Sequence, residues 1–313
     1  MSSGTACSER IRNVSAGPDV AKVNGIDIAY DVFGDEEAAP LLLIMGYTSQ
    51  MIVWDDPFCE ELASRGYRVI RFDNRDVGLS SKLDHKGVPD IAALLRGEEG
   101  SQAEIPYTLE DMMGDAVGLL DALGIDSAHI AGVSMGGMIA QLAAIHHPRR
   151  IRTLTSIMST ADAIELHFDG EPALSSLLAP MPTDHDAYVN AFMEACRIFN
   201  GPHYPVERDG VLRLAEDTFR RGVYPAGSMR QLAALITAGS RRDDLKALSI
   251  PTLIIHGSDD PLLPVACGVA AAETIPGARL LIIEGVGHSI PVQVWSRIID
   301  GIDELARAGE TGA

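Results

Sequence analysis

The sequence predicts an α/β fold built on a mostly parallel sheet, and three observations predict it. Short apolar runs suited to buried strands alternate with stretches of helical periodicity along most of the chain. One such run, Ser127-Ala128-His129-Ile130-Ala131-Gly132-Val133, gives way at Ser134 to a helix pattern. Two more runs end in polar loops, Ser258-Asp259-Asp260-Pro261 and Gly285-Val286-Gly287-His288-Ser289. Open α/β sheets gather their ligands at the carboxyl ends of strands, where all three loops fall.

The elements follow in order. Residues 1–18 are polar and rich in Ser and Gly and read as a mobile leader. Val20–Val23 and Ile26–Val32 flank Asn24-Gly25, the signature of a hairpin with a tight primed turn. Leu41–Met45 is a buried strand, Asp56–Arg65 a helix with Phe58, Leu62 and Ala63 inward, and Tyr67–Phe72 a strand again. Residues 81–106 are mixed in charge and read as a long loop with one short helix near Ile91–Leu95. Thr108-Leu109-Glu110-Asp111 resembles a capping box that opens a helix to Leu123, with Asp111 where Glu or Gln is usual. After Ser134, Met135, Ile139, Leu142, Ala143 and Ile145 recur at helical spacing until Pro148 stops the run. Arg152–Met158 is the next strand. Alternation then breaks down between Ala161 and about Gly239, where four helices are expected: Pro172–Leu178, Asp184–Phe199, Val206–Arg221 and Ser228–Thr237. Such an insertion forms a lid over the carboxyl edge of the sheet, with its last helix a candidate member of the core. Strands resume with Ile250–Gly257 and Arg279–Glu284.

Gly132-Val133-Ser134-Met135-Gly136 has the G-x-S-x-G form of a nucleophile elbow. A serine at a strand-to-helix junction sits on a sharp, strained turn with its hydroxyl exposed above the sheet. Side chains at Gly132 or Gly136 would collide with the neighbouring strand and helix. Away from such a junction the same letters describe an ordinary loop. A neutral serine hydroxyl needs a base near neutrality, and histidine, with a pKa of about 6.5, suits the task. The imidazole needs a carboxylate to fix its tautomer and stabilise the cation formed during attack. His288 lies between glycines that allow a tight loop, and the chain order Ser, Asp, His is one that this chemistry uses. Both Asp259 and Asp260 stand in the right loop, and Asp162, after the preceding strand, is a further candidate. Pro261 biases Asp260 towards an extended backbone. His85, His146, His147, His185 and His256 read as surface or structural, and no His, Asp or Glu group has metal-ligand spacing.

From about Val20 to Ala306 the chain resembles an α/β-hydrolase. Met45-Gly46-Tyr47, after Leu41–Ile44, corresponds to the His-Gly pair of the family, and Asp73-Asn74-Arg75-Asp76-Val77-Gly78-Leu79-Ser80 to its D-x-R-G-x-G-x-S stretch. Met45 stands where His is frequent and Asp76 where Gly is frequent. The Met-Gly loop and the Asn-Arg-Asp stretch look most like bacterial esterases related to the anthracycline (aclacinomycin) methylesterases. The resemblance implies a mostly parallel eight-stranded sheet flanked by helices, with residues 19–160 and 240–308 forming the core. It implies a helical cap, residues 161–239, inserted after the sixth strand. Ser134 would be the nucleophile, His288 the base and Asp260, the residue before the proline, the acid. The backbone N–H groups of Tyr47 and Met135 would form the oxyanion hole. The expected activity is cofactor-free, metal-free hydrolysis of a carboxylic ester with small to medium acyl or alkyl groups. Lactonase, thioesterase, C–C hydrolase and perhydrolase chemistry use the same triad, and a slow-turnover ligand-binding receptor retains the same fold. A serine elbow argues against the dehalogenases and epoxide hydrolases of this fold, which place Asp there. Trp54 reads as packing at a helix start, Arg75 and Asp76 as structural loop residues. Met181, Phe192, Met193 and Phe199 read as lid packing on a face shared with substrate.

Composition bounds the partners. At 313 residues and 46% hydrophobic content the chain can bury one large α/β domain with an insertion. A net charge of −19 argues against nucleic acid and anionic membrane surfaces as partners, leaving a small-molecule ester. Cys7, Cys59, Cys196 and Cys267 lack redox or metal spacing and are expected as buried free thiols. No basic segment followed by an apolar run opens the chain, and no stretch approaches the roughly 18 apolar residues of a membrane span. The expected location is the cytoplasm.

Overall fold

In the computed structural model the described residues are 17–100, 105–164 and 172–311. The expected leader therefore lies almost entirely outside the described residues, as does Cys7. The sheet opens with β1 (Asp19–Val23) and β2 (Ile26–Phe33), paired antiparallel with Val23 opposite Ile26. Asn24 and Gly25 turn the chain at φ 50 and φ 80, the two left-handed residues that a primed hairpin turn needs. The sheet continues with β3 (Ala39–Ile44), β4 (Tyr67–Phe72), β5 (Ala128–Val133), β6 (Ile151–Ile157), β7 (Thr252–Gly257) and β8 (Arg279–Ile283). The spatial order is β1-β2-β4-β3-β5-β6-β7-β8, antiparallel as far as β4 and parallel from there on.

The central strands are apolar on both faces because both faces are covered. Successive strand residues point to opposite sides, so Leu42 and Ile44 enter one core and Leu41 and Leu43 the other. The helices before the insertion are α1 (Asp56–Ser64), α2 (Ile91–Leu95), α3 (Leu109–Ala122) and α4 (Met135–His146). Within it lie α5 (Pro172–Leu178), α6 (His185–Phe199), α7 (Arg208–Arg221) and α8 (Pro225–Ile236). The short α9 (Arg242–Leu245), α10 (Val265–Thr274) and α11 (Trp295–Thr311) follow, all three unassigned by the sequence patterns above. On the first face α3, α4 and α10 supply Met112, Ile139 and Ala271; on the second, α1 and α11 supply Leu62 and Ile298. Fully burying a residue of this kind contributes about 1.5–3 kcal/mol.

Helix ends follow local chemistry. The capping box is complete: the Asp111 N–H donates to Thr108 Oγ1 at 3.4 Å and the Thr108 N–H to Asp111 Oδ2 at 2.9 Å, so the shorter Asp side chain does reach back. Asp184 caps α6 by accepting the Ala187 N–H at 3.0 Å. The start of α7 falls two residues after the expected Val206, because Glu207 takes the N-cap position. That of α8 falls three residues before the expected Ser228, with Pro225 in the first turn, where a missing N–H costs nothing. Ala234 and Leu235 bury α8 in the sheet's own core, unlike α5, α6 and α7. Among the described residues no helix is long and apolar enough to cross a membrane.

Candidate active site

Ser134 joins β5 to α4 at φ 56 and ψ −120, a backbone conformation that costs a non-glycine residue about 1–3 kcal/mol. Surrounding bonds hold it there. Its N–H donates to Ile157 O at 2.9 Å, and its carbonyl accepts Gly137 N–H and Ser159 Oγ–H, both at 2.9 Å. A Cβ on Gly132 would lie 2.1 Å from Gly136 O, and one on Gly136 2.3 Å from Ile44 O, so the turn closes only with glycine at both places. Gly46 brings the loop after β3 against Ser134: a Cβ there would lie 3.2 Å from Ser134 Cβ and 3.7 Å from its Oγ.

Past β7 and β8 the two polar loops meet. His288 Nδ1 lies 2.7 Å from Asp260 Oδ2, while Asp260 Oδ1 accepts the N–H groups of Leu262 and Leu263 at 2.9 and 2.8 Å. Burial works against ionisation of Asp260. It is outweighed by the adjacent His288 charge and by hydrogen bonds from His256, His288 and the Leu263 N–H, so the carboxyl sits well below the usual carboxylate range. Asp259 does not face His288; it accepts the Ser258 hydroxyl at 2.9 Å and pairs with His203 at 3.2 Å. Asp162 is held by Arg242 at 2.5 Å. Of the three aspartates, Asp260 is the one brought to the histidine.

His256 has more to do than a generic structural role implies. It is fully buried, with Nε2 2.8 Å from Leu263 O and 3.4 Å from Asp260 Oδ2, while Nδ1 has no partner among the described residues. That arrangement suits the neutral tautomer with the proton on Nε2. Its signal in the sequence is its place four residues before Asp260.

Tyr47 and Met135 lie on either side of Ser134, one after Gly46 and one directly after the serine. Among the described residues neither backbone N–H has a protein acceptor. The Tyr47 loop is clamped through its neighbours. Thr48, at φ 57, donates its N–H to Gln231 Oε1 at 2.9 Å, and Gln231 Nε2 donates to Arg75 O at 2.9 Å. Asn74 Nδ2 donates to Met45 O at 3.0 Å. Arg75 and Asp76 are structural as expected: Arg75 forks onto Asp115 at 2.6 and 2.8 Å, and Asp76 pairs with Arg230 of α8. Sequence reasoning misses Gln231 and Arg230, although two adjacent polar residues inside the apolar run of α8 were a readable signal.

Ser134, His288 and Tyr47 open onto one cavity of about 1560 Å³, roofed by α5, α6 and α7. Met181, Phe192 and Phe199 line it; Met193 does not, being one helical step round α6 from Phe192. Trp54 is absent from its lining and stacks on Phe58 with ring centroids 5.3 Å apart. The cysteines divide. Cys59 is a buried core thiol, but Cys196 and Cys267 are half-buried residues of the cavity wall rather than core. Burial pushes the Cys196 thiol up to about 12, which keeps it a poor nucleophile.

Comparison with known proteins shows the family. The alpha/beta hydrolase fold family matches residues 39–293. Rhodomycin D methylesterase DauP of Streptomyces sp. (strain C5) is 31% identical, over 88% of this chain and 93% of that protein. Rhodomycin D methylesterase DnrP of Streptomyces peucetius is likewise 31% identical, with the same coverage of 88% and 93%. Among solved structures, the enol-lactonase from Burkholderia xenovorans LB400 superposes with a TM-score of 0.71 at 23% identity, covering 92% of this chain and 100% of that one.

Proposed function

This chain belongs to the α/β-hydrolase family, and from that premise we propose that it is a serine hydrolase that cleaves carboxylic esters through Ser134, His288 and Asp260. The observation that carries the reading is the 2.7 Å His288–Asp260 bond at the wall of the cavity onto which the strained Ser134 also opens. Ser134 Oγ attacks the ester carbonyl carbon while His288 Nε2 takes its proton. The N–H groups of Tyr47 and Met135 hold the resulting oxyanion; removing one such donor costs about 10²–10³ in turnover in a known protease. His288 then returns the proton to the departing alcohol. In the second half-reaction it takes a proton from water, whose oxygen attacks the acyl carbon; the acyl–Oγ bond then breaks, the acid leaves and His288 returns the proton to Ser134 Oγ. Asp260 keeps the imidazole in the tautomer that leaves Nε2 free to accept. No step calls on a metal or cofactor.

Residues 161–224, which carry α5 to α7, act as the cap that shapes the pocket, and α8 serves as its base on the core. A cavity of about 1560 Å³ supports a bulkier acyl portion than the sequence alone suggests. Likeness to two rhodomycin D methylesterases favours a methyl ester, hence a small alcohol. The test is Ser134→Ala, assayed on a panel of p-nitrophenyl and methyl esters. Hydrolysis is expected to vanish from a variant that melts like the parent, and a fluorophosphonate is expected to attach to Ser134 in the parent alone. Near-parental turnover by the variant would remove Ser134 from the mechanism. One equivalent of product followed by arrest in the parent would favour the slow-turnover receptor.

A further inference from the structure

Phe199, Asn200 and Gly201 close α6, and nothing in their side-chain types suggests chemistry. In the fold they run beside the loop that carries His288. The His288 N–H donates to Phe199 O at 2.6 Å, and the Gly287 N–H to Asn200 O at 3.3 Å. The Asn200 side chain, on a residue 8% exposed, accepts the Ser289 hydroxyl at 2.6 Å and donates through Nδ2 to Tyr204 O. The two segments touch along their backbones. A Cβ on Gly287 would lie 2.1 Å from Phe199 O, and one on Gly201, which also sits at φ +81, 2.8 Å from Gly287 N. The Phe199 ring stands 6.1 Å from the His288 ring, centroid to centroid.

The consequence follows from where the loop is tied. Up to Val286 its bonds run chiefly to the loop after β7, Gly285 N–H to Ser258 Oγ at 2.7 Å and Asp259 N–H to Val286 O at 2.9 Å, with one tie from the cap side, the Tyr204 hydroxyl to Glu284 O at 3.2 Å. From Gly287 to Ser289 they run to the end of α6 instead. The Asp260 bond orients the imidazole about Nδ1, but the main chain beneath the ring is held by the cap. We propose that Asn200 is a positioning residue for the catalytic base: it ties the 287–289 segment to α6, so that His288 reaches its working place only while this end of the cap is docked. The proposal rests on the triad reading above. A displacement of the base by about 1 Å is enough to cost about 10²-fold in rate.

Asn200→Ala and Ser289→Ala remove the same hydrogen bond from opposite sides, so the test uses both singles and the double in the full-length protein. Turnover of a p-nitrophenyl ester is expected to fall about 10²-fold in Asn200→Ala with KM within about twofold of the parent. The double variant is expected to be no worse than the worse single, because the two share one bond. The far-downfield proton resonance of the His288–Asp260 bond is expected to broaden in both singles. A merely structural asparagine would lower Tm and leave that resonance sharp. Unchanged kcat, a rise in KM alone, or additive losses would overturn the proposal. If Asn200→Ala does not fold, Ser289→Ala carries the test without touching the cap. Phosphonate labelling of the parent separates the two levels: no adduct at Ser134 refutes the triad, whereas a labelled parent with unaffected variants refutes the positioning role alone.

Discussion

Asp76→Gly installs the residue that is frequent at this position of the family motif, and the structure implies that it destabilises this protein. One term favours the glycine. Asp76 sits at φ 67, and left-handed backbone costs a non-glycine residue about 1–2 kcal/mol. The opposing term is larger. Asp76 Oδ2 and Oδ1 accept Arg230 Nε and Nη2, both at 2.8 Å, and both side chains are 0% exposed. Without the carboxylate the guanidinium keeps Gly87 O at 2.8 Å, the exposed Asp84 at 4.0 Å and the face of the Tyr224 ring 5.5 Å away, none of which replaces a buried opposite charge. Removing one partner of a buried pair typically costs about 3–5 kcal/mol, so the net loss is about 1–4 kcal/mol. For a chain of 313 residues that is a fall in Tm of roughly 1.5–6 °C. Replacing Arg230 by Met in the same variant is expected to recover most of it, because no charge is then left buried alone. The pH dependence has a definite sign. Burial raises the Asp76 pKa, but the Arg230 bonds, the Leu83 N–H and the Tyr107 hydroxyl outweigh it and hold the carboxyl below its ordinary value. Stability from a carboxyl lowered in this way is fully present above its unfolded pKa of about 3.9 and fades as pH falls through the folded value. The gap between parent and Asp76→Gly, read by thermal and urea unfolding, is therefore expected to narrow below about pH 4. A variant as stable as the parent at pH 7, or a gap that ignores pH, would refute the reasoning.

Two further outcomes test the site. Asp260→Asn is expected to lower kcat by about 10⁴ by favouring the wrong tautomer of His288, whereas Asp259→Asn and Asp162→Asn, whose carboxylates are engaged elsewhere, leave it within severalfold; steady-state kinetics on one ester decide, and a reversed order would move the acid to another residue. Phe192→Ala and Phe199→Ala are expected to shift the ratio of kcat/KM between short and bulky esters, and Met193→Ala, off the cavity wall, to leave that ratio alone; a uniform loss across all esters together with a lower Tm would make the two phenylalanines core packing instead.

What was legible in the sequence was what local chemistry decides. Asn24-Gly25 specifies its own turn, the short helix expected near Ile91–Leu95 is α2, and the glycines around Ser134 mark a junction that no other residue could close. The split on α6 had a signal that the reading of Met193 together with Phe192 and Phe199 passed over: Phe192, Cys196 and Phe199 fall at i, i+4 and i+7, one stripe of a helix, and Met193 falls off it. The clamps were not legible, because each depends on a partner far along the chain. Gln231 reaches Thr48 across 183 residues, Arg230 reaches Asp76 across 154, and Asn200 reaches Ser289 across 89. Periodicity reports which face is buried, not which polar atom waits on the other side.

Those clamps share a direction. Each runs from the stretch between β6 and β7 to a loop at the carboxyl edge of the sheet. Gln231 of α8 holds the Tyr47 loop, and Asn200 at the end of α6 meets the His288 loop. At the end of α7, Arg221 donates to the buried Asp73 at 2.6 Å and to Gln50 Oε1 at 2.9 Å, while Gln50 returns a bond to Gly222 O at 2.9 Å. An insertion anchored in this way is more than a wall around substrate. These attachments fall on the Thr48 loop, on the motif loop beside it and on the loop that carries His288, so on the proposed mechanism the docking of this stretch and the placing of the reacting groups are mechanically one. A substitution there can lower kcat without touching substrate, and one on the cavity face can change KM without moving the triad. Separating the two parameters for each variant is therefore what distinguishes a pocket residue from a strut.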